Sequence, residues 1–405
     1  MTTDTIRIIG GYQTDFARNL TREGLDVADL VREVVEGTLA EAGLEAGDIG
    51  VVHVGNAFGQ LFTGQGHLGA MPPSVVPGLW GVPATRHEGA CASGSLALLA
   101  AMADLESGRY DCALVLGAEL EKTVPGDLGA RHMGTAAWAG REGTDAKFMW
   151  PYMFGKVADE YDRRYGLDDR HLWAIAELNA RNAARNPLAQ TRDWDRNAAS
   201  FSVDPVANPP VEGRLRKADC GPLTDGAAGV VLVRADHPAA QRDTAHQSSI
   251  LGWGHRTVGL PLAEKFSRSA GDKYVFPHVR DTIGDAFTRA GISGVDDLDL
   301  IETHDCFTVS EYLAIDHFGI TPPGESWRAV EAGDLEIDGR IPMNPSGGLL
   351  GVGHPVGATG VRMLLDCHRQ VTGRAGANQV DGARRAAMLN FGGSTSTTAS
   401  FVVGH

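Results

Sequence analysis

The sequence predicts an α/β protein made of two similar β-α-β-α-β halves, each with a largely parallel sheet covered by helices. Three observations carry this. Residues 42–56, A-G-L-E-A-G-D-I-G-V-V-H-V-G-N, return in outline at 290–305 as A-G-I-S-G-V-D-D-L-D-L-I-E-T-H-D, with one extra position. Each copy follows an amphipathic helix and leads into a short strand rich in Val, Ile or Leu. Each half also holds a turn of small residues that opens an apolar helix, C-A-S-G-S-L-A-L-L-A-A-M at 91–102 and H-P-V-G-A-T-G-V-R-M-L-L at 354–365.

The elements follow in order. I-R-I-I-G-G (6–11) and S-I-L-G-W-G (249–254) read as first strands ending in glycine. Val27, Leu30, Val31, Val34, Val35 and Leu39 recur at helical spacing, as do Val279, Ile283, Ala286 and Phe287. After the apolar helices come the strands D-C-A-L-V-L-G-A-E (111–119) and R-A-A-M-L-N-F-G-G (385–393). Between about 120 and 220 the pattern loosens into an insertion of loops around a helix at 154–186, which is expected to cover the cleft. L-T-D-G-A-A-G-V-V-L-V (223–233) then turns into a buried strand. The halves divide at residues 1–247 and 248–405. Strand ends in such sheets are where ligands sit, so the two helix-opening turns are expected to face a shared cleft.

Composition excludes several classes. At 405 residues with 43% apolar and 21% charged content the chain is ordinary for a soluble globular protein, and it has no apolar run long enough to span a membrane. The start, M-T-T-D-T-I-R-I-I-G, lacks the regions of a secretion signal, so a cytoplasmic location is expected. Cysteines 91, 112, 220, 306 and 367 show no C-x-x-C spacing, which argues against zinc and disulfides. A net charge of −15 opposes binding to nucleic acid or an anionic membrane, while leaving room for a local basic patch.

The chemistry concentrates in two turns. A thiolate nucleophile needs a helix N-terminus to lower its pKa and a base to take its proton, and Cys91 in H-E-G-A-C-A-S-G and His354 in G-V-G-H-P-V-G-A-T-G could supply both. Gly89, Ser93 and Gly94 allow a sharp turn at Cys91, and Gly353, Pro355, Gly357 and Gly360 shape the backbone at His354. The pairing is a signature of acyl-thioester chemistry. At the strand end His304-Asp305-Cys306-Phe307, a hydrogen-bond donor and a second thiol stand where a reaction centre could be. Gly392 and Gly393 follow Asn390, itself either a site residue or an ordinary strand end. The Gly392 amide beside that of Cys91 would supply the two donors an oxyanion requires. Arg214, Arg216 and Lys217 form one compact basic run, readable as solvated surface or as a contact for coenzyme A phosphates. Phe148, Trp150, Tyr152, Met153 and Phe154 fit either a pocket wall or core.

Over essentially its whole length the chain resembles the thiolase family. Four regions carry the resemblance: G-V-P-A-T-R-H-E-G-A-C-A-S-G, L-T-D-G-A-A, H-D-C-F, and N-P-S-G-G-L-L-G-V-G-H-P-V-G-A-T-G. H-D-C-F is similar to the sterol-carrier-protein type and its bacterial and archaeal relatives. The chain departs from the common pattern where C-x-G-G-G is replaced by Asn390-Phe391-Gly392-Gly393-Ser394.

The resemblance implies the layered α/β/α/β/α thiolase fold and an acyl-CoA C-acyltransferase that forms or cleaves 3-ketoacyl-CoA through an acyl-enzyme on Cys91. His354 would be the base toward Cys91. Cys306 would take the acid/base role of the missing cysteine, and His304 would stabilise the enolate oxygen. Coenzyme A and acyl-CoA would be substrates, with no resident cofactor and no metal. The resemblance also implies a homodimer or homotetramer and a small OB-fold partner protein. Two other readings stay open: a thiolase-fold acyltransferase or lyase acting on another acceptor or on a steroid side-chain thioester, and a non-catalytic acyl-CoA-binding subunit.

Overall fold

A computed structural model describes residues 6–405; the first five residues of the opening segment and of the first half lie outside the described residues. The strands are β1 (Ile6–Gln13), β2 (Val51–Gly55), β3 (Ala84–His87), β4 (Cys112–Glu119), β5 (Pro210–Glu212), β6 (Leu215–Arg216), β7 (Gly226–Arg234), β8 (Ser248–Thr257), β9 (Leu300–Thr303), β10 (Arg385–Gly392) and β11 (Thr397–Gly404). Nine of them form one sheet in the order β3-β2-β4-β7-β1-β8-β11-β10-β9.

That order is a mirror about the β1–β8 junction. β1, β2, β4 and β7 of the first half occupy the places of β8, β9, β10 and β11 in the second. Where β3 stands in the first half, the second has only an isolated parallel bridge between Ile301 and Met343. The expected parallel character is modified by one reversed strand in each half. β7 runs antiparallel to both β4 and β1, and β11 antiparallel to both β10 and β8. For β11 the cause is the connection, since the turn after β10 is far too short for a crossover and a short turn returns the chain antiparallel.

The helices used below are α1 (Val27–Ala42), α2 (Ser93–Glu106), α3 (Met149–Tyr165), α4 (Asp169–Ala183), α5 (Leu262–Arg268), α6 (Pro277–Ala290), α7 (Thr308–Phe318), α8 (Gly348–Val352) and α9 (Thr359–Val371). α1 packs on β1, β7 and β4, and α6 on β8 and β11. α2 and α9 pack on each other, and α9 touches β4 and β7 of one half as well as β9, β10 and β11 of the other. The two halves of the sheet therefore enclose a shared helical layer, which is the α/β/α/β/α arrangement.

The insertion differs from the expected single helix at 154–186. It holds two helices, α3 and α4, because Gly166 ends the first at φ 82° and the Asp168 side chain accepts from the Arg170 amide to start the second. Among the described residues no helix is long and apolar enough to cross a membrane.

At the centre of the contact between the halves, backbone meets backbone. Backbone of Gly94 in α2 and Gly357 in the turn before α9 comes so close to Gly55 that a Cβ there would lie 2.7 Å from the Gly94 Cα and 2.8 Å from the Gly357 carbonyl oxygen. At Gly117 in β4 a Cβ would collide with the Gly357 carbonyl and lie 2.5 Å from the Ala358 Cα. Gly117→Ala is therefore expected to destabilise the protein by about 1–3 kcal/mol through overpacking against backbone. A denaturant midpoint lowered at unchanged slope would register it, and an unchanged midpoint would contradict the contact.

Candidate active site

Cys91 lies two residues before the start of α2, after Ala90 in the left-handed region at φ 52°. His304 and Cys306 lie between the end of β9 and the start of α7, and His354 follows α8. The fold brings these segments together. The Cys91 sulfur and one ring nitrogen each of His304 and His354 all lie within 4.8 Å of one another. The two imidazoles meet edge to face with centroids 5.1 Å apart.

Hydrogen bonds assign a tautomer to each ring. The Thr359 hydroxyl donates to the Pro355 carbonyl at 3.0 Å, so toward His354 Nδ1, 2.8 Å away, it accepts. Nδ1 of His354 thus carries the proton. Nε2 keeps its lone pair, is buried, and has no hydrogen-bond partner. His304 is held in the opposite state. The Asn390 side chain donates from Nδ2 to the Cys91 carbonyl at 3.2 Å, which fixes the amide orientation, while its oxygen accepts from Ser95 Oγ at 2.7 Å. The same Nδ2 lies 2.9 Å from His304 Nδ1, which therefore accepts and leaves the proton on Nε2. One imidazole offers an acceptor and the other a donor. A cation would meet an N–H at His304, so the cluster is built for proton transfer and hydrogen bonding more than for metal ligation.

Burial sets the charge states. The Cys91 thiol is pushed up to about 12 by desolvation and then by the Glu121 charge, opposed by backbone amides of Gly393 and of Cys91 itself. The expected lowering by the helix N-terminus is thus outweighed by the apolar surroundings. His354 is lowered to about 3 by burial and then by the Arg362 charge. His304 is held well below the usual range by burial, His354 and Arg362 in that order. The Cys306 thiol is pushed well above its ordinary value by burial and then by Cys91. The resting site therefore holds neutral thiols and neutral imidazoles.

Other predicted residues divide into those in the cleft and those outside it. Cys91, Cys306, His354 and Gly393 line one cleft of about 890 Å³, with Phe148, Trp150 and Phe154 among its apolar walls. Met153 is core, and Tyr152 packs beside it. The Gly393 amide reaches the Cys91 sulfur, and Gly392, which ends β10, packs against Gly89 and Ala92 of the Cys91 turn. Arg214, Arg216 and Lys217 also stand apart from the cleft lining. Arg214 is engaged by Asp159, Asp162 and Asp169, Arg216 donates to the Asn208 carbonyl, and Lys217 is exposed.

Several residues that matter here carried no clear sequence signal. Glu119 accepts from the amides of Ala57, Phe58 and Gly357 and from the Asn56 side chain, and Glu121 accepts from those of Val356 and Thr224. Together they pin the turn carrying His354 to the first half. Asp305 turns away from its neighbours in H-D-C-F and accepts from the Leu349 and Leu350 amides of α8, which leads into His354. Arg362, buried with Asp366 and Glu302, adds its charge to the burial that keeps both imidazoles from protonating. Two carboxylates directly after an apolar strand, G-A-E-L-E at 117–121, were the one available clue.

Histidine 15N spectra test the tautomers. At pH 7 His354 should register as Nδ1–H and His304 as Nε2–H, with His354 unchanged down to about pH 5 because its pKa lies near 3. Titration of either ring near pH 6.5 would contradict this site.

Comparison with known proteins agrees with the geometry. The family model "Thiolase, N-terminal domain" matches residues 6–194, and "Thiolase C-terminal domain-like" matches residues 264–405. The chain is 34% identical over 400 residues to an acetyl-CoA acetyltransferase of Methanothermobacter thermautotrophicus, covering 97% of this chain and 98% of that one. To human sterol carrier protein 2 it is 30% identical over 95% of this chain and 69% of the relative. Among solved structures, an Ltp2-ChsH2(DUF35) aldolase superposes with a TM-score of 0.77 at 20% identity, covering 99% of this chain and 98% of that one. An acetyl-CoA acetyltransferase from Syntrophomonas wolfei superposes at 0.70 and 18%, with 99% of each chain covered. By sequence over nearly its full length, and by fold, the chain belongs to the thiolase family.

Proposed function

We propose that the protein is an acyl-CoA C-acyltransferase that forms or cleaves 3-ketoacyl-CoA through a thioester on Cys91. The observation that carries this reading is the convergence of three groups: the Cys91 thiol and the unpartnered lone pair of His354 Nε2, both lining the apolar cleft, and the Nε2–H of the buried His304, whose ring has a nitrogen within 4.8 Å of them. His354 Nε2 takes the thiol proton as the sulfur attacks the acyl-CoA carbonyl, and returns it to the departing coenzyme A sulfur. The amides of Cys91 and Gly393 receive the oxyanion. The thiol is neutral at rest, so the charge forms only where those donors await it.

In the synthetic direction, the Cys306 thiol first yields its proton to the freed His354 Nε2, and the thiolate so formed removes a proton from C2 of a second acyl-CoA while His304 Nε2–H donates to the enolate oxygen. The carbanion attacks the Cys91 thioester, yielding 3-ketoacyl-CoA and the Cys91 thiolate, which recovers its proton from His354. Cleavage runs the same steps backwards, with Cys306 returning its proton to carbon and coenzyme A accepting the acyl group. Aromatic and Met side chains of the insertion suit the acyl and pantetheine portions of the substrate. With Arg214 committed elsewhere, Lys147, whose ammonium lies 4.8 Å over the ring of the cleft residue Phe148, is the better placed cation for the coenzyme A phosphates. A cytoplasmic homo-oligomer remains the proposed setting. A small second component is supported by the two-part name of the Ltp2-ChsH2(DUF35) neighbour.

Two sets of variants check this. Cys306→Ala should still release one equivalent of coenzyme A in a burst from acyl-CoA, yet fail to interconvert acetoacetyl-CoA and acetyl-CoA. Normal interconversion would remove Cys306 from the mechanism, and wild-type enzyme that releases no acetyl-CoA from acetoacetyl-CoA and coenzyme A would favour a lyase or another acceptor. Lys147→Ala should raise KM for acyl-CoA by about 2- to 5-fold with kcat kept, the range expected for one exposed charge on phosphate, while Arg214→Ala leaves KM unchanged. An unchanged KM in the Lys147 variant would contradict its assignment.

A further inference from the structure

The turn that carries the Gly393 amide is held by a buried cation outside the cleft. Gly393–Ser396 joins β10 to β11, and it contains two residues in the left-handed region, Gly393 at φ 63° and Thr395 at φ 64°. For threonine that conformation is strained by about 1–2 kcal/mol, so something must hold it. Lys265 of α5 is 6% exposed and points into this turn. Its Nζ donates to the Ser394 carbonyl at 2.8 Å, to Ser394 Oγ at 2.7 Å, to Ser396 Oγ at 2.8 Å and to the Leu260 carbonyl at 3.0 Å. No carboxylate is among these partners. The ammonium is solvated by loop oxygens alone, and a buried charge tolerates no loss of such partners. His278 of α6 meets the same turn from the other side, with Nε2 3.0 Å from the Thr395 carbonyl and 3.1 Å from its hydroxyl. The Val258 amide donates to the Ser396 carbonyl at 2.8 Å.

Four oxygens compete for three ammonium protons, and three of those oxygens belong to residues one and three positions after Gly393. Moving Gly393 away from Cys91 would break that set. A hairpin turn of four residues has other conformations without left-handed threonine, so the bonds to Lys265 and His278 select this one.

We propose that Lys265 is a positioning residue for the reaction, acting through Ser394 and Ser396 to hold the Gly393 amide against the Cys91 sulfur and the oxyanion that forms beside it. This rests on the Cys91 acyl-enzyme reading. In the C-x-G-G-G segment Asn390 takes the place of the cysteine and Ser394 that of the last glycine, and Ser394 is the residue whose carbonyl and hydroxyl Lys265 holds.

The test is Lys265→Met, followed with acyl-CoA labelled with 13C at the carbonyl. In wild-type enzyme the Cys91 thioester stretch should lie below that of a thioester in water, because two amides polarise it. In the variant the band should move to higher wavenumber and kcat should fall by about 100-fold, the effect of losing one oxyanion donor. KM should stay within about twofold, since the interaction belongs to the transition state. An unmoved band overturns the proposal, whether kcat is kept or falls, because a merely structural lysine would not touch the carbonyl. If Lys265→Met does not fold, the double variant Ser394→Ala, Ser396→Ala leaves the ammonium with carbonyl partners only. It should move the band in the same direction by less, and an unmoved band there is equally decisive. Wild-type enzyme that shows no thioester band at all would instead defeat the Cys91 reading, and the clamp with it.

Discussion

The close approach of two helix-opening turns, one from each half of the chain, is the constraint on which the site depends. Gly55, Gly94, Gly117 and Gly357 let backbone meet backbone there, and Glu119 and Glu121 bridge the same seam by accepting amide protons from residues on both sides. Burying two carboxylates is costly, and burial raises Glu119 to about 7. The cost is offset by directed amide bonds that a side chain of another kind could not accept in number. Without that seam Cys91 and His354 would belong to separate halves with no shared chemistry.

The second feature is that the site is neutral. Desolvation keeps Cys91 and Cys306 protonated and both imidazoles uncharged, with Arg362 adding to the effect on the histidines. Roles are therefore set by tautomer. Thr359 directs the His354 proton to Nδ1, and Asn390 directs that of His304 to Nε2, so one ring is ready to accept a proton and the other to donate a hydrogen bond. Asn390 also holds the Cys91 carbonyl, which couples the orientation of His304 to the nucleophile turn.

Much of this was legible in the chain. The internal repeat, with its paired helix-opening turns, led directly to the mirrored strand order, because duplicated patterns of apolar residues fold into duplicated elements. Cys91, His304, Cys306 and His354 could be singled out because glycine-rich turns and strand ends advertise where backbone is shaped for a ligand. What the chain concealed was contact between distant residues. Whether a thiol's pKa falls at a helix N-terminus or rises in an apolar cleft depends on side chains such as Trp150 and Phe154, brought in by the insertion. The direction in which the Gly393 amide points depends on Lys265, far away in sequence, and the engagement of Arg214 by Asp159, Asp162 and Asp169 depends on how α3 and α4 pack. Gly166-Leu167-Asp168 did carry a local stop-and-start signal that divides the helix assigned to 154–186.

The central claim is that Cys91, deprotonated by His354, becomes acylated. Peptide mapping after a brief quench with acyl-CoA addresses it most directly. The added acyl mass should lie on the peptide containing Cys91, with none on those containing Cys220 or Cys306, and its appearance should slow by about two to four orders of magnitude in His354→Ala, as expected on loss of a general base. Acyl mass on another cysteine, or unchanged acylation without the imidazole, would contradict the account.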